Sequence, residues 1–402
     1  MRFPGWLNSD AGPDFRQASI RIGTVEWTGS VEIHIRASDY VRHGHGEDPA
    51  YESVILHVIW DADHTIVRSD GTAIPALEVR PIVPPALLKR YLRLSESSVA
   101  LPCSSFLRDV PAEVVADMIR QAAVQRLSDR VGMVRQIHTQ TGGDWNETCW
   151  RVLAWSFGLR VNGEAMLTLA SRLPAHVLQR YSREPDVLEA LLFGVSGLTS
   201  EVARDSHEAT VSRRFVRLRH AHRLVPMSVV EWKFSRMRPA AFPTVRLAQL
   251  TAFAAQVEGG FSGLLRHYSA PSWEKVFSFC VSPYWQQHVH FGRPGHMPEG
   301  PGPALVNQVR INALAPLLVA WGSSMGLPGY LDKAIAVLEE TAAEENNRLR
   351  CWHHAGIRPA NALESQALQG QLRTQCGPRK CLECGVGNFV LRRSDDSGDG
   401  RS

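Results

Sequence analysis

Two short acidic stretches near the front of the chain, Gly12-Pro13-Asp14-Phe15 and Val31-Glu32-Ile33-His34-Ile35, do most to limit the folds open to it. Successive strand residues point to opposite faces, so Glu32 and His34 share one side, and Val31, Ile33 and Ile35 the other. Residues 16–22 alternate as well, and either Gly23-Thr24 or Thr28-Gly29-Ser30 can turn the chain back on itself. Asp14 then lies on the neighbouring strand, beside Glu32. Two carboxylates meeting at the polar edge of a sheet repel each other unless a cation lies between them, and hard oxygen ligands suit Mg²⁺ or Mn²⁺. The pairing therefore predicts a metal-dependent hydrolase. The alternative is a hairpin in which Asp14 caps a turn and Glu32 is a solvated face residue.

The next segment extends the pattern. Ser38-Asp39 reads as a helix N-cap, and Asp48-Pro49 opens a helical turn. Residues 53–60 are almost continuously apolar and predict a buried strand. His43 and His45, in the glycine-rich stretch before it, are either further metal or phosphate contacts or plain loop polarity. His57, inside the apolar strand, reads as a hydrogen-bonded core histidine.

Pro13-Asp14 and the triplet Glu32-Ile33-His34, followed by a short helix and a strand, resemble the PD-(D/E)XK nuclease superfamily. That resemblance implies an α+β fold with a mixed β-sheet core. It implies a catalytic set of Asp14, Glu32 and His34, with Asp14, Glu32 and the Ile33 carbonyl as Mg²⁺ or Mn²⁺ ligands. Histidine stands where that superfamily usually has lysine. An imidazole there can act as a general base or a neutral metal ligand, or mark a site that binds without cutting. Asp10 reads as a turn residue.

At 402 residues the chain is too long for one small core, and two or three domains are expected. Hydrophobic content of 44% and charged content of 21% are those of a soluble globular protein. No run of eighteen apolar residues occurs, so no membrane span is expected, and the N-terminus lacks a signal-peptide core, which predicts a cytoplasmic location. Seven cysteines, an odd and sparse set, do not make a secreted disulfide framework. The net charge of +4 does not by itself imply nucleic acid, but its distribution does more. Between Arg204 and Arg246 stand Arg213, Arg214, Arg217, Arg219, Arg223, Lys233, Arg236 and Arg238, against few acids. Arginine suits bidentate phosphate contacts, so Arg213, Arg214, Arg217, Lys233, Arg236 and Arg238 are expected to face nucleic acid. Otherwise these arginines belong to an amphipathic helix and pair within the fold.

Residues 1–85 read as the β-rich core, with a last strand over 73–79 before Pro81, Pro84 and Pro85 break regularity. From 86 to 350 the period is helical, with helices expected over 110–127, 145–159, 165–173, 185–193, 246–257, 262–268, 306–321 and 330–350. Residues 284–303, with His288, His290 and His296 among glycines and prolines, read as a surface loop. Residues 351–392 are cysteine-rich, and 393–402 have the composition of a disordered tail.

Cys376, Cys381 and Cys384 form a C-x₄-C-x₂-C knuckle with Gly377 and Pro378 to bend the backbone. Arg379 and Lys380 are expected to lower the thiol pKa values. A tetrahedral centre needs a fourth ligand, from Cys351, His353, His354 or Cys103. Zn²⁺ is placed ahead of an iron–sulfur cluster, and the bland alternative is three reduced thiols in a basic loop. One upstream cysteine with three near the C-terminus also resembles the iron–sulfur staple of some recombination-type PD-(D/E)XK nucleases, which implies Cys103 as the fourth ligand.

The whole chain is similar to an uncharacterised bacterial family of domains of unknown function. The resemblance rests on residues 7–15 (LNSDAGPDF), 29–34 (GSVEIH), 232–239 (WKFSRMRP) and 361–368 (NALESQAL), together with the cysteine knuckle. Members usually begin earlier, so a shortened start is expected; the family implies no activity. The function expected from the residues is a metal-dependent nuclease acting on DNA or RNA. The alternatives are a catalytically inactive nucleic-acid-binding protein with a structural zinc or iron–sulfur site, and a scaffold whose arginines pair internally.

Overall fold

A computed structural model describes residues 2–393, and the chain is α+β. The alternating and apolar runs build one mixed sheet of five strands in chain order: β1 (Trp6–Leu7), β2 (Phe15–Ile22), β3 (Val25–Arg36), β4 (Val54–Asp61) and β5 (Ala76–Glu78). The first three strands run antiparallel, and β3–β4 and β4–β5 pair in parallel. The hairpin turns at Gly23-Thr24, where Gly23 takes a positive φ of 62°. The return from β3 to β4 passes through α1 (Asp39–Arg42) and the 3₁₀ turn Pro49–Tyr51, where the Asp48 carboxylate accepts the Ala50 N–H. β5 is shorter than residues 73–79 predicted. Pro75 has no N–H to give the ladder and contributes only its carbonyl, which takes the His57 N–H at 2.9 Å.

Late in β3, beyond the buried Val31, the usual burial of an alternating strand is reversed. Glu32 is 5% exposed, whereas Ile33 and Ile35 are 47% and 70% exposed. Gly29 lets β3 close on its neighbour: a Cβ there would sit 2.5 Å from both Ile55 Cγ2 and the Ser53 carbonyl.

Two compact units emerge, Met1–Ser98 with Gly387–Ser402, and Val99–Val386. The break falls later than residue 85 because α2 (Pro85–Ser95) belongs with the first unit. There the Arg90 guanidinium donates to the Leu391 carbonyl at 3.0 and 3.2 Å. Residues 394–402, most of the expected tail, lie outside the described residues.

The second unit is helical around one large apolar core. In order come α3 (Ala112–Gln140), α4 (Trp145–Gly158), α5 (Gly163–Arg172), α6 (Ala175–Arg180), α7 (Pro185–Ser196), α8 (Ser206–His222) and α9 (Pro243–Gln256). α4 is buried on almost every side, so it is the element around which the others pack, and the Trp150 indole N–H is satisfied by the Leu173 carbonyl at 2.8 Å. Gly194 on α7 makes room for the Phe215 ring of α8, which a Cβ would meet at 2.0 Å.

The expected helix over 330–350 ends at Glu340, because the next residues leave the helix: Ala342 bridges Asn361 and the Thr341 carbonyl accepts the Ala362 N–H. Residues 284–303 are more ordered than a surface loop. They hold a small hairpin, His288–His290 against Arg293–Pro294, and the His288 ring stacks on Tyr284 at 4.0 Å. The stretch Pro303–Met325 is long and apolar enough to cross a membrane, yet 67% of its apolar window is buried inside the protein. That is the signature of a core helix.

Candidate metal centre

The loop before β2 is tied down before it reaches Asp14. The Asn8 amide donates to the carbonyls of Asp10, Ala11 and Pro13 at 3.1–3.2 Å, and Gly12 supplies the positive φ of 103° that the bend requires. Asp10 is a turn residue, its N–H donating to Asn8 Oδ1. Between Phe15 and Ala18 the β2–β3 register shifts, with Gln17 at φ +58°. Such bulges re-aim side chains beside a site.

Asp14 and Glu32 then hold each other across the two strands. The Ile33 N–H donates to Asp14 Oδ2 at 2.9 Å, and the Asp14 N–H donates to Glu32 Oε2 at 3.0 Å. Each carboxylate keeps one oxygen outside these bonds. Glu32 Oε1 is 3.6 Å from His34 Nε2 and 3.5 Å from His45 Nε2. His43 Nδ1 lies 3.2 Å from His34 Nε2, and ligand atoms of His34, His43 and His45 all fall within 4.8 Å of one another. Behind them His57, fully buried, bonds His34 Nδ1 through Nε2 at 2.9 Å and so fixes the ring. Tyr51 stacks on His45 at 3.8 Å, and Tyr40 packs edge-on to His34 and His45. The side chains of Glu32, His34 and His45 are 6%, 7% and 13% exposed, while His43 is exposed and marks the open edge.

Electrostatics follow from this burial. Desolvation pushes the Glu32 carboxyl up to about 7; the Asp14 N–H opposes that and the Asp14 charge adds to it. Burial lowers His34, with His45 and His43 next, and lowers His45 with His43 next. His57 falls to about 4 for the same reasons. Lowering favours the neutral forms of His34 and His45, which can offer lone pairs, as a metal requires of histidine. Three imidazoles with the Glu32 carboxylate 3.5–3.6 Å from two of them fit Mn²⁺ or another transition ion better than the all-oxygen shell typical of Mg²⁺.

The structure therefore brings together Asp14, Glu32 and His34, and adds His43 and His45. Tyr40 and Tyr51 escaped the sequence reading: their role is to wall the imidazoles, which no spacing reveals. Of the arginine-rich residues, Arg213 and Arg217 are exposed on α8, whereas Arg214 pairs with Asp186 at 3.3 Å. Lys233, Arg236 and Arg238 are exposed on the segment that follows.

Cys103, Cys376 and Cys381 are buried and Cys384 is half-buried, all in the helical unit. Burial raises Cys103 to about 12, with the charges of Cys384 and Cys381 adding to it, so these thiols feel one another. Burial also raises Cys381, with Cys384 adding to it and Arg379 opposing, so its net direction is opposite to the lowering expected from the flanking cations.

No curated protein and no solved structure matches the chain. A family model described as a protein of unknown function covers residues 2–347, and on that match the chain belongs to the DUF2851 family.

Proposed function

We propose that the protein is a metal-dependent nuclease that hydrolyses phosphodiester bonds in DNA or RNA. The observation that carries this reading is the interlocked Asp14–Glu32 pair with two imidazole nitrogens within 3.6 Å of Glu32 Oε1. A divalent ion, Mn²⁺ ahead of Mg²⁺, would supply Lewis acidity toward the scissile phosphate and lower the pKa of a bound water. Asp14, Glu32, His34 and His45 would hold it. His43, exposed at the open edge, would be free of His34 Nε2 once that nitrogen held the ion, and would then take a proton from an attacking water. His57 keeps the His34 ring in place. The exposed Arg213, Arg217, Lys233, Arg236 and Arg238 would serve as phosphate contacts. Seven free thiols fit a cytoplasmic, reducing compartment.

A catalytically silent nucleic-acid-binding protein is the second reading, and one observation favours it. His34 stands where a nuclease of this kind carries lysine, and its lowered pKa leaves no fixed positive charge there at neutral pH. Labelled DNA and RNA incubated with Mn²⁺, Mg²⁺ or EDTA separate the two. Metal-dependent cleavage lost in Asp14→Ala and Glu32→Ala, with binding retained, supports the nuclease; binding without cleavage under any metal supports the second reading.

A further inference from the structure

The helical unit holds a cavity of about 490 Å³, large enough for a small organic molecule. One wall is α3, where Arg126 and Arg130 stand one turn apart and share a face. Another is the Pro303–Met325 stretch, whose π-helical turn, Arg310–Leu314, contributes Ile311 and Asn312. Single π turns inside helices recur at functional sites. The chain after Glu340 supplies Glu344, and the helix Ala362–Gln371 supplies Gln366 and Gln369.

Charge in this cavity is unevenly matched. Glu344 is fully engaged: Oε2 accepts from Gln366 Nε2 and, at 2.8 Å, from Gln369 Nε2, while Oε1 faces Arg160 Nη2 at 3.5 Å. Asp129 is taken by Arg373 at 2.9 Å. Arg126 donates through Nε to the neutral Gln366 Oε1 at 2.9 Å. The Arg130 guanidinium lies over the Trp155 ring at 5.4 Å, and its buried Nε has no hydrogen-bond acceptor. Among the described residues neither Arg126 nor Arg130 forms an ion pair. Burial holds Arg130 down to about 10, and repulsion by Arg126 and Arg373 outweighs attraction by Glu344 and Asp129. Two guanidiniums on one helix face, short of counter-charge, suit a dianion. A phosphate monoester carries about −1.5 to −2 charges at neutral pH and offers three oxygens to guanidinium forks, whereas a carboxylate brings a single charge.

The remaining lining bears on the body of the ligand. The Asn307 amide has no side-chain partner among the described residues, and the exposed Glu345 can accept from a hydroxyl. Amides both donate and accept, as sugar hydroxyls do. No residue lining the cavity is aromatic among those described, so a nucleobase would find no ring to stack on. We propose that this cavity binds a sugar phosphate, with Arg126 and Arg130 on the phosphate and Asn307 on the hydroxyls. The site shares no residue with the nuclease reading and does not rest on it.

The test titrates the full chain by calorimetry, in buffer free of phosphate and metal, with ribose 5-phosphate, glucose 6-phosphate, glucose 1-phosphate and fructose 6-phosphate. Inorganic phosphate, ribose and AMP are the controls. The expected result is one site per chain for at least one of the sugar phosphates, bound more tightly than any control. Arg130→Met should weaken it about 10- to 100-fold, the loss of a hydrogen bond to a charged group, and Asn307→Ala about 3- to 10-fold. Arg120→Met, on the same helix but outside the lining, should leave it unchanged. Far-ultraviolet circular dichroism checks that each variant is folded, and Asn307→Ala carries the test should Arg130→Met fail to fold. The proposal is overturned if none of the four sugar phosphates binds, or if inorganic phosphate or AMP binds as tightly. Wild-type affinity in a folded Arg130→Met or Asn307→Ala would overturn it equally.

Discussion

Replacing Glu32 by glutamine tests the electrostatics of the candidate site most directly. The unfolded carboxyl ionises near 4.5 and the folded one near 7, so between these values the folded protein binds more protons. Without metal, stability of the sheet therefore falls as pH rises from 4.5 to 7 and stays lost above 7. A shift of that size corresponds to about 3 kcal/mol at full weight; water at the His43 edge screens it, leaving about 1–2 kcal/mol. Glutamine can keep the Asp14 N–H bond and cannot ionise. In EDTA, Glu32→Gln should match the wild type near pH 5 and exceed it by about 1–2 kcal/mol at pH 8, a 5- to 30-fold gain in amide protection. Hydrogen exchange in β3 and β4 measures this locally, which matters because a chain of two units has no single unfolding free energy. With Mn²⁺ the order should reverse, since only the carboxylate binds the ion. If the pH 8 difference in EDTA is absent, or favours the wild type, the account of Glu32 as a buried, unwillingly ionised ligand is wrong.

Other outcomes follow from the same geometry. His57→Leu removes the bond that orients His34, and should weaken Mn²⁺ binding about 10- to 100-fold by calorimetry without touching the ion's own ligands. Gly194→Ala forces a methyl into the Phe215 ring and should destabilise the helical unit by about 1–3 kcal/mol in urea. Arg213→Glu combined with Arg217→Glu should weaken nucleic-acid binding and reduce the slope of log affinity against log salt by about 2; an unchanged slope would place nucleic acid elsewhere.

How much of this was readable in advance depended on the range of the interactions. The strands at 15–22, 25–36 and 54–61 write themselves in two-residue alternation or in an unbroken apolar run, and Gly23-Thr24 is a local turn signal. The Asp14–Glu32 pairing followed from that register. Which face is buried did not follow: Ile33 and Ile35 look like core and are exposed, because the interior side is committed to Glu32, His34 and the tyrosines. His45 reaches Glu32 only through the fold of residues 37–51, which no periodicity encodes. The end of the helix at Glu340 is set by the bridge between Ala342 and the sequence-distant Asn361, and was invisible locally. α8 was legible only as the alternative reading of the arginine-rich segment, because its sequence is so rich in charge that its apolar stripe reduces to a few residues such as Val211 and Phe215.

The exchanged backbone bonds between Asp14 and Glu32 have one more consequence. Each acid is fastened to a peptide group on the opposite strand, so sliding β2 against β3 by a single residue would cast off both together. The hairpin has no alignment in which one survives and the other is missing. An ion held by both carboxylates would therefore meet the pair together in the native alignment and lose the pair together outside it.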